Sequence, residues 1–275
     1  MEDLSQSTPS RDARFSVTIA TERRRWRWTL TRTVAVGIVI LIALISVGIF
    51  NLRRLAEGIP GMGRLLADML PPDFTNWSTW IKPVLSTLAM SIAGTFIAVM
   101  FSLVLGFLAA RTTTPHIAVY VVARIILNLL RAIPELIMGI VFVAAVGFGA
   151  LPGVLALGFH SIGGVGKFFS ESIEHVDQGP VEAVRATGAS RLQVIIHGVL
   201  PQVLPQMMDT VFYRWEYNFR ASTVMGMVGA GGIGFELIGS LRIMQYQEVS
   251  AILLVILAMV TLVDGLGRWM RGRFA

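Results

Sequence analysis

Few side chains in this sequence could do chemistry. Cysteine is absent, which excludes disulfides and thiolate metal or redox sites, and the four histidines, His116, His160, His175 and His197, are too scattered for a metal motif. His160 and Ser161 adjoin near a glycine-rich turn without the partners that a nucleophile or base needs, so catalysis is not expected. What remains is a set of ionisable and polar residues inside apolar segments, where a charge is costly and its default reading is functional. Gln202, Gln206, Asp209, Tyr213, Glu216 and Arg220 fall at offsets of 0, 4, 7, 11, 14 and 18, so they form one polar stripe along a helix. Such a stripe must face protein or water. Within it Glu216 and Arg220 stand four apart with the acid first, the better order for an ion pair, and Arg131 and Glu135 repeat the spacing upstream. Each pair reads either as a clamp between helices or as part of a pathway.

These residues need membrane-spanning helices to position them. The 275 residues are 54% apolar and only 15% charged, with a mean hydropathy of +0.69, outside the usage of soluble domains. The net charge of +6 resides at the ends, where residues 1–32 hold seven Arg against four acids and residues 268–273 hold three Arg against none. Cationic flanks of spans stay in the cytoplasm, so both termini are expected there and the number of spans is expected to be even. Once the ends are removed, no basic face with interleaved aromatics is left for nucleic acid.

A basic cytoplasmic tail, 1–30, precedes a first span in 31–50, with Trp26 and Trp28 at the interfacial level. Residues 51–83, punctuated by Pro60, Pro71 and Pro72, read as an extracytoplasmic amphipathic segment. The second span is 84–110. The apolar stretch 117–150 is too long for one upright helix, at ~1.5 Å per residue against a hydrocarbon core of ~30 Å, and Pro134 favours a kink beside Arg131 and Glu135. Residues 154–169 read as a short fourth span, and 170–198 as the one substantial cytoplasmic loop, carrying amphipathic helices. The fifth span runs from Val199 beyond Phe219, and the sixth is 249–267. Between them Gly226–Gly239 is too glycine-dense for a lipid-facing helix and is expected to line protein or water. The fold class expected is an all-α integral membrane protein of about six transmembrane helices.

The cytoplasmic loop contains Glu182-Ala183-Val184, then Gly188, then Leu200-Pro201. It resembles the signature of binding-protein-dependent ABC importer permeases, Glu-Ala-Ala with Gly six residues after the Glu and Leu-Pro twelve beyond, departing at Val184 and at Gly198, where Ile is usual. Arg131-Ala-Ile-Pro-Glu135, Gly166-Lys167-Phe-Phe, Glu171 with Glu174, Tyr213-Arg-Trp-Glu-Tyr-Asn-Phe-Arg220 and Val228-Gly-Ala-Gly-Gly-Ile-Gly234 narrow the resemblance to phosphonate-type permeases, over 84–275. It implies a type I ABC importer permease fold in the bacterial cytoplasmic membrane. It further implies a pathway between two copies of the chain, two ATP-binding cassette subunits below, an extracytoplasmic solute-binding protein above, and lipid around.

On that resemblance Glu182, Ala183, Gly188, Leu200 and Pro201 couple to the ATPase, with Ala183 and Gly188 small so that it can approach. Arg131, Glu135, Tyr213, Glu216, Asn218 and Arg220 line the pathway, and Gly229, Gly231, Gly232 and Gly234 let two copies approach at a gate. No phosphate-binding glycine loop of the Walker type occurs, so ATP and Mg belong on the partner ATPase, and no cofactor or metal is expected in this chain. The implied cargo is a phosphonate or related oxyanion, phosphate and phosphite included. Arg131, Arg214 and Arg220 could hold a tetrahedral dianion transiently, with Glu135 and Glu216 offsetting them so that it leaves. The alternatives are a methionine-type permease, which shares the loop signature, and an ion-coupled secondary transporter. The latter would favour an inverted repeat, and none is visible.

Overall fold

The computed structural model describes residues 11–274, and among them every regular element is helical. The chain divides into two compact units, one ending at Leu65 and one starting at Leu66.

The first unit holds α1, Arg11–Ser46, and most of α2, Leu52–Asp68. Within α1, Glu22–Ser46 is long and apolar enough to cross a membrane and none of its apolar window is buried, the surface of a helix that faces lipid. Trp26 and Trp28 are exposed beside its arginines, as interfacial anchors would be. The amphipathic segment expected over 51–83 ends at Asp68, because Trp77 already opens the next long helix.

The second unit continues with α3 (Trp77–Leu108), α4 (Ile117–Ala132), α5 (Glu135–Val146), α6 (Ala150–Glu174) and α7 (Gln178–Ala186). The short α8 (Arg191–Val194) runs through a π-helical turn, Ile195–Val199, into α9 (Leu200–Met225), and a second π-helical turn, Gly226–Ala230, leads to α10 (Ile233–Arg242) and α11 (Tyr246–Phe274). The centre is α6, packed on α3, α4, α5 and α9. Small residues let it sit close: an added Cβ at Gly94 would stand 2.9 Å from Leu157 Cβ, and one at Gly106 2.8 Å from Phe169 Cβ. Between helices in lipid, packing rather than water exclusion drives association, so this backbone proximity is the main cohesive term.

The expected kink is present: α4 and α5 are bent by 87°. Ile133 is extended at φ −86° and ψ 122°, since the ring of Pro134 disfavours a helical residue before it. Three helices are long and apolar enough to span, or five if each bent pair counts as one span, against six expected. The difference lies at α6, which runs 25 residues where 154–169 were expected and carries glycine, serine, His160 and Lys167. Enclosed by four neighbours, it has no need of a lipid-compatible surface. The glycine-dense stretch also differs from expectation, because Gly226–Ala230 is π-helical and α10 starts at Ile233; its placement agrees, since Gly226, Gly229, Ala230, Ile233 and Gly234 are buried in protein.

Candidate functional site

At one end of the second unit, α7 is built as a presented helix. Asp177 caps it by accepting from Gly179 N at 3.0 Å, Val181 is buried against Val194, Val199 and Val203, and Glu182 and Ala183 remain exposed on the outer side. Gln202 staples the loop to the start of α9, accepting from Asp177 N at 3.1 Å and donating to Asp177 O at 3.2 Å and Gly198 O at 2.6 Å. A Cβ at Gly198 would stand 3.2 Å from Val181 Cα, which accounts for glycine at a position where the permease signature has Ile. Gly188 has nothing of its own chain within 4 Å of its Cβ direction, and its φ of +81° is a second reason for glycine as α7 turns toward Ser190. Leu200 is half-buried and Pro201 exposed, and together they open α9. Beneath the loop, Glu174 accepts from Arg124 Nη2 at 3.0 Å and Arg111 N at 2.9 Å, tying the middle of α4 to the end of α6 and the turn after α3. The sequence reading missed this clasp, whose available signal was Arg124 within an otherwise apolar run of α4.

On α9 the polar stripe divides between protein and the outer surface, with Glu216 buried, Gln202 half-buried and Gln206, Asp209, Tyr213 and Arg220 exposed, and its pairs are not those that spacing suggested. Glu216, 6% exposed, is bonded by Arg271 Nη1 at 2.5 Å, and Arg271 Nε also lies 3.6 Å from Asp209. Arg220 Nη1 donates to both carboxylate oxygens of Asp264, at 3.1 and 3.0 Å. Glu216 and Arg220 therefore do not pair with each other. Each turns to α11, whose Gly267 has no side chain where the Glu216 carboxylate lies. Asn218, fully buried, is bonded by Ser161 Oγ at 2.9 Å and donates to Thr95 Oγ1 at 2.9 Å, which joins α3, α6 and α9.

The second cluster gathers at the α4–α5 break. Glu135 opens α5, and its two oxygens accept from the Tyr217 hydroxyl at 3.0 Å each. His160 donates from Nδ1 to the carbonyl of Ile133 at 3.1 Å, one the break has freed, and its Nε2 lies 3.7 Å from Glu135. The Arg214 guanidinium stacks 5.0 Å from the centre of the Tyr217 ring. Arg131 makes no ion pair with Glu135, because the 87° bend separates two residues that a straight helix would bring together. Both Arg131 and Tyr213 are exposed. Sequence reasoning named Glu135 and Arg214 but did not bring His160 or Tyr217 to them.

At the opposite end, Gly229 accepts from Gly149 N at 3.2 Å and packs against Phe148, whose ring a Cβ would meet at 2.7 Å. Gly232 lies against Thr87 and Met90, and Gly234 against the Thr223 carbonyl, so their small size is explained within one chain. Gly231 has only Gly149 near its Cβ direction, at 3.9 Å.

Residues 102–275 match the family described as binding-protein-dependent transport system inner membrane component. The chain belongs to this family. It is 66% identical over 233 residues to the phosphite transport system permease protein PtxC of Stutzerimonas stutzeri, covering 85% of each chain. With the phosphate-import permease protein PhnE of Mycolicibacterium smegmatis it shares 44% identity over 75% of this chain and 39% of that protein. Among solved structures, an inward-facing MetNI methionine ABC transporter chain superposes with a TM-score of 0.61 at 23% identity, covering 71% of this chain and 96% of that one, which shows the shared fold.

Family membership makes the chain a multi-pass permease of the inner membrane that works with a solute-binding protein and an ATPase. The permease component itself lacks ATPase activity, so hydrolysis belongs to the partner subunit. That frame gives the exposed face of α7 and the buried charges of α9 different roles to fill.

Proposed function

We propose that the chain is the permease of an ATP-driven importer for phosphite or a closely related phosphorus oxyanion, phosphonate or phosphate, working as a homodimer with both termini in the cytoplasm. The kinship with a phosphite permease over most of both chains carries this reading. The basic residues at both ends support the orientation. In this arrangement two ATPase subunits carry ATP and Mg, and each docks on the exposed Glu182–Ala183 side of α7. The solute-binding protein delivers from the other side. Arg131, Glu135 and Tyr213 contribute to the pathway, while Glu216, Asn218 and Arg220 act as its frame. Gly231, with open space about it, is where a second copy approaches.

Reconstitution with the ATPase and binding protein in proteoliposomes tests the reading. Uptake of phosphite, with ATP hydrolysis stimulated by the loaded binding protein, is expected; stimulation by methionine and by no phosphorus oxyanion would overturn it. The same assay examines coupling: Gly188→Val should lose stimulation through a backbone penalty of about 1–2 kcal/mol, whereas Gly188→Asn, which tolerates a left-handed backbone, should keep most of it. Equal stimulation in both variants would remove α7 from the coupling path.

A further inference from the structure

The polar residues of the second unit include three arginines that could meet an oxyanion, and their surroundings separate them. Arg220 is held bidentately by Asp264. Arg131 is exposed at the end of α4. Arg214 differs from both: it lies inside the helical body, its Nε is enclosed and without a partner, and no described residue accepts a hydrogen bond from its guanidinium. The guanidinium lies against Gly164 of α6, where an added Cβ would run into its Nη2.

We propose that Arg214 is the specificity-determining residue of the pathway, the one whose guanidinium contacts the passing oxyanion, with Tyr217 as the spacer that keeps it from Glu135. This rests on the oxyanion-importer reading above. A half-buried cation whose Nε has no acceptor gains from one, and a tetrahedral oxyanion presents two oxygens that match the guanidinium fork. Tyr217 stands at both groups: its ring takes the guanidinium face at 5.0 Å, and its single hydroxyl proton is shared between the two Glu135 oxygens at 3.0 Å each. His160 Nε2 stands 3.7 Å from the same carboxylate, while its Nδ1 donates to Ile133 O. Glu135 thus stays close enough to oppose a bound anion without cancelling the donors, and contact is brief enough for passage. Gly164 gives the guanidinium its place, so its size sets the geometry without bearing charge.

The test uses the full importer with ATPase and binding protein, reading phosphite uptake per ATP hydrolysed beside stimulated hydrolysis. Arg214→Met should keep stimulated hydrolysis within about twofold and lose about tenfold or more in uptake per ATP, with Arg214→Lys recovering part of it. Tyr217→Phe, which frees Glu135 to pair with the arginine, should lower uptake per ATP by a smaller factor. Unchanged uptake per ATP in an assembled Arg214→Met complex overturns the assignment. Should that variant fail to assemble, Gly164→Ala decides: reduced uptake per ATP supports the contact, and an unchanged value overturns it. If the unaltered complex carries no phosphorus oxyanion, the importer reading itself fails; if it does and the variants match it, Arg214 alone fails.

Discussion

Two sets of charges share α9 and are treated in opposite ways. Toward α11, Glu216, Asp209 and Arg220 are matched by Arg271 and Asp264, so that every ionised group on that side has an opposite charge in contact. Toward α5 and α6, Arg214 meets an aromatic face and a glycine, while the neighbouring carboxylate accepts from a tyrosine hydroxyl. A matched set holds helices together because separating it exposes charges to a poorly polar surrounding. An unmatched cation beside an occupied carboxylate retains donors for something else. The difference teaches that a charge on a membrane helix becomes a candidate for transport through what its neighbours leave unbonded.

The sharpest way to break this comparison is at Glu216. Glu216→Gln leaves Arg271 without its buried partner and should cost roughly 3–5 kcal/mol, read as loss of thermal stability of the purified complex. Adding Arg271→Met should restore much of that loss, less the share owed to Asp209, and adding Arg220→Met should restore none. Rescue by the Arg220 change would mean that the side chains pair along α9 after all. Next in size, Asn218→Leu strands the Ser161 hydroxyl in the interior, Thr95 keeping its bond to Ser91 O, and should destabilise by about 1–3 kcal/mol. Its signature is lower stability with uptake per ATP unchanged, the reverse of the Arg214 pattern; a selective loss of uptake would move Asn218 from the frame into the pathway. His160→Ala removes a donor from the carbonyl of Ile133 at the break and should cost about 0.5–1.5 kcal/mol of thermal stability. Full retention would show that this carbonyl finds another donor. Smallest of all, Arg220→Ala breaks a partly exposed pair and should change stability by about 0–1 kcal/mol, with the effect shrinking as salt is raised if the pair meets water.

Much of the architecture was legible because it follows from local rules. The break near Pro134 comes from ring sterics, the amphipathic helix in the 170–198 loop from its polar composition, and the first span from a long apolar run behind arginines. Other features were not legible. The positive φ at Gly188 could not be read, since angles are absent from a residue list, nor could the neighbours that Gly229, Gly232 and Gly234 meet within their own chain. The extent of α6 was not legible either, because its composition reflects the protein around it rather than the lipid.

The amino-acid order by itself determined that the chain is helical, lies in a membrane, carries the loop signature of a binding-protein-dependent permease, and places Arg214, Glu216 and Arg220 on one helix. Composition and spacing suffice for that, since the hydrocarbon thickness and the helical period act on residues close in sequence. Only the tertiary structure decided which charge meets which. Arg271 is 55 residues from Glu216 and Asp264 is 44 from Arg220, so those pairings depend on where α11 lies. Tyr217 reaches Glu135 across 82 residues because α4 and α5 bend apart and present the carboxylate to α9. Side-chain pairing is short-ranged in space and indifferent to distance along the chain, so the fold assigned the partners and thereby left Arg214 with donors to spare.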